Sequence, residues 1–271
     1  MNYKRKIILS VILFIFCRSV LPCTVFYIKR GDKIYAATNK EWKNMEFRSL
    51  VYQAETGKYG RIYFGYQITE GFQNVGGINE KGLWYDGASL RSRKDIANYL
   101  NKPVIKGELC EKVLEQCSII SEVVEMYDKY YTPHWKGHIM WGDKEGNCII
   151  IEFGRKDVVF IHPSDNFMIM TNFYISDEIK RTGSGYKSFK TVKKALTEST
   201  EINVKSISRI LESVHKKRGR IKTIYSNVYD LLDGIVYCFY NGDFKRYLKF
   251  DINDEVKKGN NYYNMPEKFS Q

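Results

Sequence analysis

Short runs rich in aromatic and β-branched residues occupy both ends of the stretch from Thr24 to Asp251, and helical periodicity is confined to its middle. That order constrains the fold more than any other feature of the chain. Strands, then helices, then strands in one segment point to an α+β domain, with sheets packed on each other and helices outside. Thr24–Lys29 and Lys33–Thr38 read as strands paired around Arg30-Gly31-Asp32. Arg61–Ile68 is a further strand, and Asn79-Glu80-Lys81-Gly82 turns into one beginning at Leu83. The stretch from His138 to Phe153 reads as a hairpin turning at Asp143–Asn147, and Val158–Phe173 is expected to continue its sheet. Lys222–Asp230, Gly234–Tyr240 and Lys245–Asp251 complete the strands. Between them, Glu108–Tyr130 has the periodicity of a single amphipathic helix of roughly six turns, and Lys187–Leu196 and Val204–His215 alternate in the same way. No repeat, low-complexity linker or domain boundary is visible after residue 23.

The first 22 residues read differently. Lys4, Arg5 and Lys6 precede an apolar run from Ile7 to Phe16, which Arg18 ends. A spanning helix needs roughly 20 apolar residues, so this run fits a secretory signal rather than an anchor. Leu21-Pro22 suits signal peptidase poorly, whereas Cys17-Arg18-Ser19 offers small residues for a cut after Ser19. Val20-Leu21-Pro22 would then be trimmed, by the protein itself or by another enzyme. The expected organisation is a signal plus short pre-peptide over 1–22, and one domain over 23–271, ample for a substantial core. The expected location is the periplasm or the exterior, with a lipid anchor on Cys23 disfavoured by the missing small residue before it. No stable membrane span remains once the signal is gone.

Cys23 then becomes the first residue, carrying a thiol and a free α-amine. Such an amine titrates near pH ~8, so it can take a proton from its own side chain at neutral pH and activate the sulfur as a nucleophile. The same amine can return that proton to a leaving nitrogen. No histidine lies in a motif suggesting a Cys-His pair. His134 and His138 stand four apart, but Pro133 and Gly137 argue against a helix and no glutamate of a zinc motif lies between them, so no metal is expected. The glycine clusters Gly76-Gly77 and Gly183-Ser184-Gly185 do not form a phosphate-binding loop, and no cofactor is implied.

Composition adds exclusions. The chain carries a formal charge of +12, but its basic residues are scattered, the densest runs being Lys193-Lys194 and His215-Lys216-Lys217-Arg218. No zinc finger, RNA-binding consensus or arginine-rich arm accompanies them, so the partner is not nucleic acid. Of six cysteines, Cys17 leaves with the signal. Cys110 and Cys117 lie too far apart on one helix to bridge, while pairings with Cys148 or Cys238 and buried free thiols both remain open. A homo-oligomer is compatible with the sequence.

Cys23-Thr24-Val25-Phe26, ATNKEW at 37–42, GGINEKGLWYDG at 76–87, MTNF at 170–173 and YSNVYD at 225–230 occur in an order that resembles the linear amide C–N hydrolases, which include choloylglycine hydrolases and penicillin V acylases. The resemblance runs from Cys23 to about Phe250. It implies a four-layer αββα sandwich of two packed antiparallel sheets, and cleavage of an N-acyl amide through an acyl-cysteine thioester. Cys23 matches the nucleophile and Asn172 the asparagine of the oxyanion hole. The backbone near Ser89 falls where a second oxyanion donor is supplied. In ATNKEW, Thr38 stands for the family's arginine and Glu41 for its aspartate, while Asn39 is kept. Glu41 is expected to bind the α-amine, Asn227 to line the site, and Asp86 to bind substrate polar groups or to form a structural turn. Phe64, Tyr66, Phe72, Trp84 and Tyr85 are candidates to line an apolar acyl pocket. An acyltransferase using the same acyl-enzyme, and a non-catalytic exported binding protein or lipoprotein, are the alternative readings.

Overall fold

The computed structural model describes residues 23–43, 45–90, 102–105, 107–130, 137–153, 158–177 and 183–271. Among them the strands form two antiparallel sheets. The first has six strands, in the order β10 (Phe167–Thr171), β1 (Thr24–Arg30), β2 (Lys33–Trp42), β11 (Lys222–Asp230), β12 (Ile235–Tyr240) and β13 (Asp243–Asp251). The second has eight, ordered β14 (Asn261–Asn264), β3 (Glu46–Tyr52), β4 (Arg61–Ile68), β5 (Gly71–Asn79), β6 (Trp84–Ser89), β7 (Gly137–Gly142), β8 (Cys148–Phe153) and β9 (Val158–Ile161).

Alternation along each strand sorts the side chains into layers. Val25, Tyr27 and Ala36 of the six-stranded sheet meet Phe64, Ile78, Trp84 and Met140 of the eight-stranded sheet in one core between the sheets. The opposite face of the six-stranded sheet, with Phe26, Ile28 and Ala37, packs on α3 (Gly183–Glu198) and α4 (Val204–Val214). The outer face of the eight-stranded sheet, with Tyr85, Ile139 and Trp141, packs on α1 (Leu109–Gln116) and α2 (Ile120–Lys129). Two short helices, α5 (Ile252–Lys257) and α6 (Met265–Ser270), close the chain. The layering is α, β, β, α, as the sequence implied.

Three sequence expectations need correction. The helix expected over Glu108–Tyr130 is two helices, interrupted at Cys117-Ser118-Ile119. Asn79 Nδ2 donates to the carbonyls of Leu114 (2.9 Å) and Cys117 (2.8 Å). Glu122 accepts from the Ser118 amide (2.6 Å) and Asp143 from the Ile120 amide (3.0 Å). Backbone groups that would continue the helix are thereby taken by side chains from β5, α2 and the β7–β8 turn. Val158–Phe173 does not stay in one sheet either. β9 extends the eight-stranded sheet, but β10 crosses to pair with β1, where Met168 faces the inter-sheet core and Ile169 the α3–α4 layer. Finally, β13 starts at Asp243 rather than Lys245. Asn241 (φ 51°) and Gly242 (φ 75°) link Tyr240 to Asp243 as a two-residue turn with positive φ at both centres, a hairpin signal present in the sequence. All five described cysteines are free and buried, which decides between the alternatives the spacing left open.

Candidate active site

The β1–β2 hairpin builds the site. Gly31 (φ 61°) and Asp32 close it with a glycine at the first central position, and the register that follows pairs Thr24 with Asn39. One step further along that register, Cys23 stands across from Lys40. Lys40 in turn pairs with Tyr225 of β11, so Cys23, Lys40 and Tyr225 lie in a row on the inner face of three adjacent strands. Cys23 is 7% exposed.

Lys40 is buried, and burying an ammonium costs several kcal/mol unless it is paired. It is paired across the sandwich, with the Asp86 carboxylate of β6 and with the carbonyl of Gly87 at 2.5 Å. Asp86 is therefore a strand residue between the sheets, not a turn. Its burial raises its pKa to about 6 against the opposing pull of Lys40 and the Thr38 hydroxyl.

The same charges act on the Cys23 thiol. Burial pushes the Cys23 thiol up to about 11; Lys40 pulls it down, Glu41 pushes it up, the Glu41 backbone amide that hydrogen-bonds the sulfur lowers it, and Asp86 raises it. Lys40 is the largest influence favouring thiolate. Sequence reasoning missed it. The available signal was alternation: Thr38, Lys40 and Trp42 share one face of a strand whose neighbours are apolar, so a lysine there must be paired or functional.

Glu41 lies on the opposite face of β2 and is fully buried. Thr223 Oγ1 donates to its Oε1 at 3.0 Å, while Oε2 finds no hydrogen-bond partner among the described residues. Burial lifts its carboxyl to about 8, opposed by the Thr223 hydrogen bond and by Lys216 and Lys40. An unpartnered buried carboxylate oxygen beside Cys23 is chemically suited to an ammonium.

The other predicted residues separate. Asn172 follows the end of β10, and its Nδ2 donates to the Ser89 carbonyl at 2.7 Å across the sheet interface. Ser89 ends β6 at the rim of the pocket. Asn227 is fully buried on the inner face of β11, opposite Thr38, with Nδ2 on Tyr229 OH at 3.0 Å. Asn39 does not join them. Its side chain is on the helical side of β2, where Nδ2 donates to Leu211 O of α4 (2.9 Å) and Oδ1 accepts from Ser226 Oγ (2.6 Å). Strand alternation forces this, since Thr38 and Lys40 take the inner face.

A pocket of ≈ 270 Å³ opens beside Cys23, with Lys40, Trp42, Tyr66, Val75 and Ser89 among its walls. Of the five aromatic residues expected to line an acyl pocket, only Tyr66 does. Phe64 and Trp84 belong to the inter-sheet core, and Tyr85 and Phe72 to the core under α1 and α2.

The four-layer arrangement of two packed antiparallel sheets matches the N-terminal-nucleophile hydrolase fold. Among solved structures it is similar to a mutant of the conjugated bile acid hydrolase from Clostridium perfringens, at 17% identity and a TM-score of 0.69 over 89% of this chain and 96% of the other. The N-acylethanolamine-hydrolyzing acid amidase ortholog of Caenorhabditis elegans matches at 16% identity and TM-score 0.58, over 89% of this chain and all of that one (100%). The penicillin V acylase from Agrobacterium tumefaciens matches at 14% and 0.57, over 84% and 91%. At these identities the likeness is one of fold. No family model matches the sequence, and no curated protein matches it.

Proposed function

We propose that the protein is an exported cysteine amidohydrolase that cleaves the linear amide of an N-acyl substrate, with Cys23 as nucleophile after removal of residues 1–22. The observation that carries the reading is the position of Cys23, at the head of a strand, walling a pocket, opposite a buried lysine. The shared fold supports it, because the three similar structures are named as a conjugated bile acid hydrolase, a penicillin V acylase and an N-acylethanolamine-hydrolyzing acid amidase.

In this mechanism the Cys23 α-amine takes the thiol proton and the thiolate attacks the amide carbonyl. Glu41 Oε2 holds the resulting ammonium, and Lys40 stabilises the sulfur's charge. The oxyanion forms near Asn172, whose Nδ2 carries two N–H groups, one of them on Ser89. Collapse breaks the C–N bond as the ammonium returns the proton to the leaving nitrogen, leaving a thioester on Cys23. Water, deprotonated by the same amine, then releases the acid and frees the thiol. The pocket suits a compact acyl group with an apolar and aromatic flank, supplied by Val75, Trp42 and Tyr66.

The test is the intact mass and N-terminal sequence of the mature protein, followed by a screen of N-acyl amides. A terminus at Cys23, turnover, and loss of that turnover in Cys23→Ala together sustain the reading. A persistent extension before Cys23 removes the base, a lipid on its sulfur removes the nucleophile, and either result sinks it.

A further inference from the structure

Glu152 and His138 lie outside the chemistry just described, yet both are fully buried between the sheets. His138 Nδ1 contacts Glu152 Oε1 at 3.0 Å. The glutamate does more than hold the imidazole. Its Oε1 accepts from the Ile175 amide at 2.7 Å and its Oε2 from the Ser176 amide at 3.0 Å. Those amides belong to the segment that follows Asn172 out of β10, so a side chain of the eight-stranded sheet grips a loop of the six-stranded one.

The register shows why this matters. Ala88, His138 and Glu152 are direct neighbours across β6, β7 and β8. Ser89, next to Ala88, offers the carbonyl that Asn172 Nδ2 binds. The segment 172–176 is thus tied to the opposite sheet at both ends, by Asn172 on Ser89 and by Ile175 and Ser176 on Glu152. Burial works to raise the Glu152 pKa, but His138, the Ser176 side chain and the Ile175 amide outweigh it and hold the carboxyl below its ordinary value. A carboxylate accepting several charge-assisted hydrogen bonds is a stiff anchor.

We infer that Glu152, oriented by His138, is a positioning residue that sets the Asn172 carboxamide for its role at the oxyanion. The inference rests on the amidohydrolase reading, in which Asn172 donates to the developing charge. A donor displaced by about 1 Å can cost on the order of 10²-fold in rate, and the loss falls on kcat because the bond is made in the transition state.

The experiment compares wild type with Glu152→Gln, which keeps the side-chain volume, and Glu152→Ala. Hydrogen exchange is followed at the Ile175 and Ser176 amides, together with the side-chain amide resonance of Asn172. Turnover of the best N-acyl amide is expressed per alkylatable Cys23 thiol, so that misfolded protein does not count. The expected result is at least about tenfold faster exchange at both amides, a shifted Asn172 resonance, and kcat lowered by ~10–100-fold with KM within about twofold. Unchanged exchange in both variants overturns the clamp. Faster exchange with unchanged Asn172 resonance and kcat overturns the positioning role. If the wild type hydrolyses no amide, the functional reading fails separately, while exchange and the Asn172 resonance still decide whether Glu152 sets that side chain.

Discussion

Lys40 and Asp86, 46 residues apart in sequence, form an ion pair across the sandwich at 2% and 1% side-chain exposure. The lysine faces Cys23 and the carboxylate anchors the lysine from the other sheet. The charged and titratable groups facing Cys23 are Lys40 and Glu41 of β2, Asp86 of β6, Tyr66 of β4 and Tyr225 of β11. Among these only Lys40 favours thiolate.

Lys40→Met is expected to move the pH midpoint of Cys23 alkylation upward and to cost about 3–5 kcal/mol of stability, because Asp86 is left buried and unpaired. Lys40→Met with Asp86→Leu should recover much of that stability but not the thiol reactivity. Iodoacetamide kinetics against pH, with Cys23→Ala as the blank, and urea melts measure the two effects. A single variant with an unshifted midpoint would show that Lys40 does not tune the sulfur.

Glu41 gives a pH signature. Burial raises its carboxyl from 4.5 to about 8, so the folded state holds the proton more tightly than the unfolded one. Below pH 4.5 both states are protonated and the group contributes nothing. Between 4.5 and 8 the stability falls as pH rises, and above 8 the whole penalty is present. Glu41→Gln should therefore melt with wild type at pH 4 and above it at pH 8, in protein that retains residues before Cys23. In the processed protein the Cys23 ammonium offsets the penalty, so the gap at pH 8 should shrink. An equal gap in both forms would argue against contact between Glu41 and the α-amine.

Asn172→Ala is expected to lower kcat by on the order of 10²–10³-fold with a small change in KM. Asn172→Asp should be as damaging, since a carboxylate repels the oxyanion and the Ser89 carbonyl. Steady-state kinetics suffice, and a kcat within a few fold of wild type would remove Asn172 from the oxyanion site.

Asn39→Ala separates scaffold from chemistry. It strips a donor from Leu211 O and an acceptor from Ser226 Oγ, both buried, and should cost about 1–3 kcal/mol. The kcat of the folded fraction should not change. A selective loss of kcat without loss of stability would place Asn39 in the site after all.

Much of the scaffold is legible in the sequence. Arg61–Ile68 and Lys222–Asp230 are strands with the bounds their patterns suggest, and Gly31-Asp32 closes its hairpin as its glycine indicates. Local rules govern these, and local rules are written in local sequence. The single helix over Glu108–Tyr130 fails for the opposite reason, because Asn79 and Asp143, distant in sequence, supply the hydrogen bonds that interrupt it.

The sequence by itself determined the nucleophile candidate, the helix-flanked two-sheet class and the order of the segments, since a cysteine at a strand head and the periods of 2 and 3.6 are properties of neighbouring residues. Only the tertiary structure decided which residues face Cys23. β2 is covered on both sides, so its burial pattern does not tell the face of Thr38 and Lys40 from that of Asn39 and Glu41. That assignment comes from pairing with β1 and β11. The partners themselves, Asp86 for Lys40 and Glu152 for the loop after Asn172, come from a second sheet whose distance along the chain leaves no periodic trace.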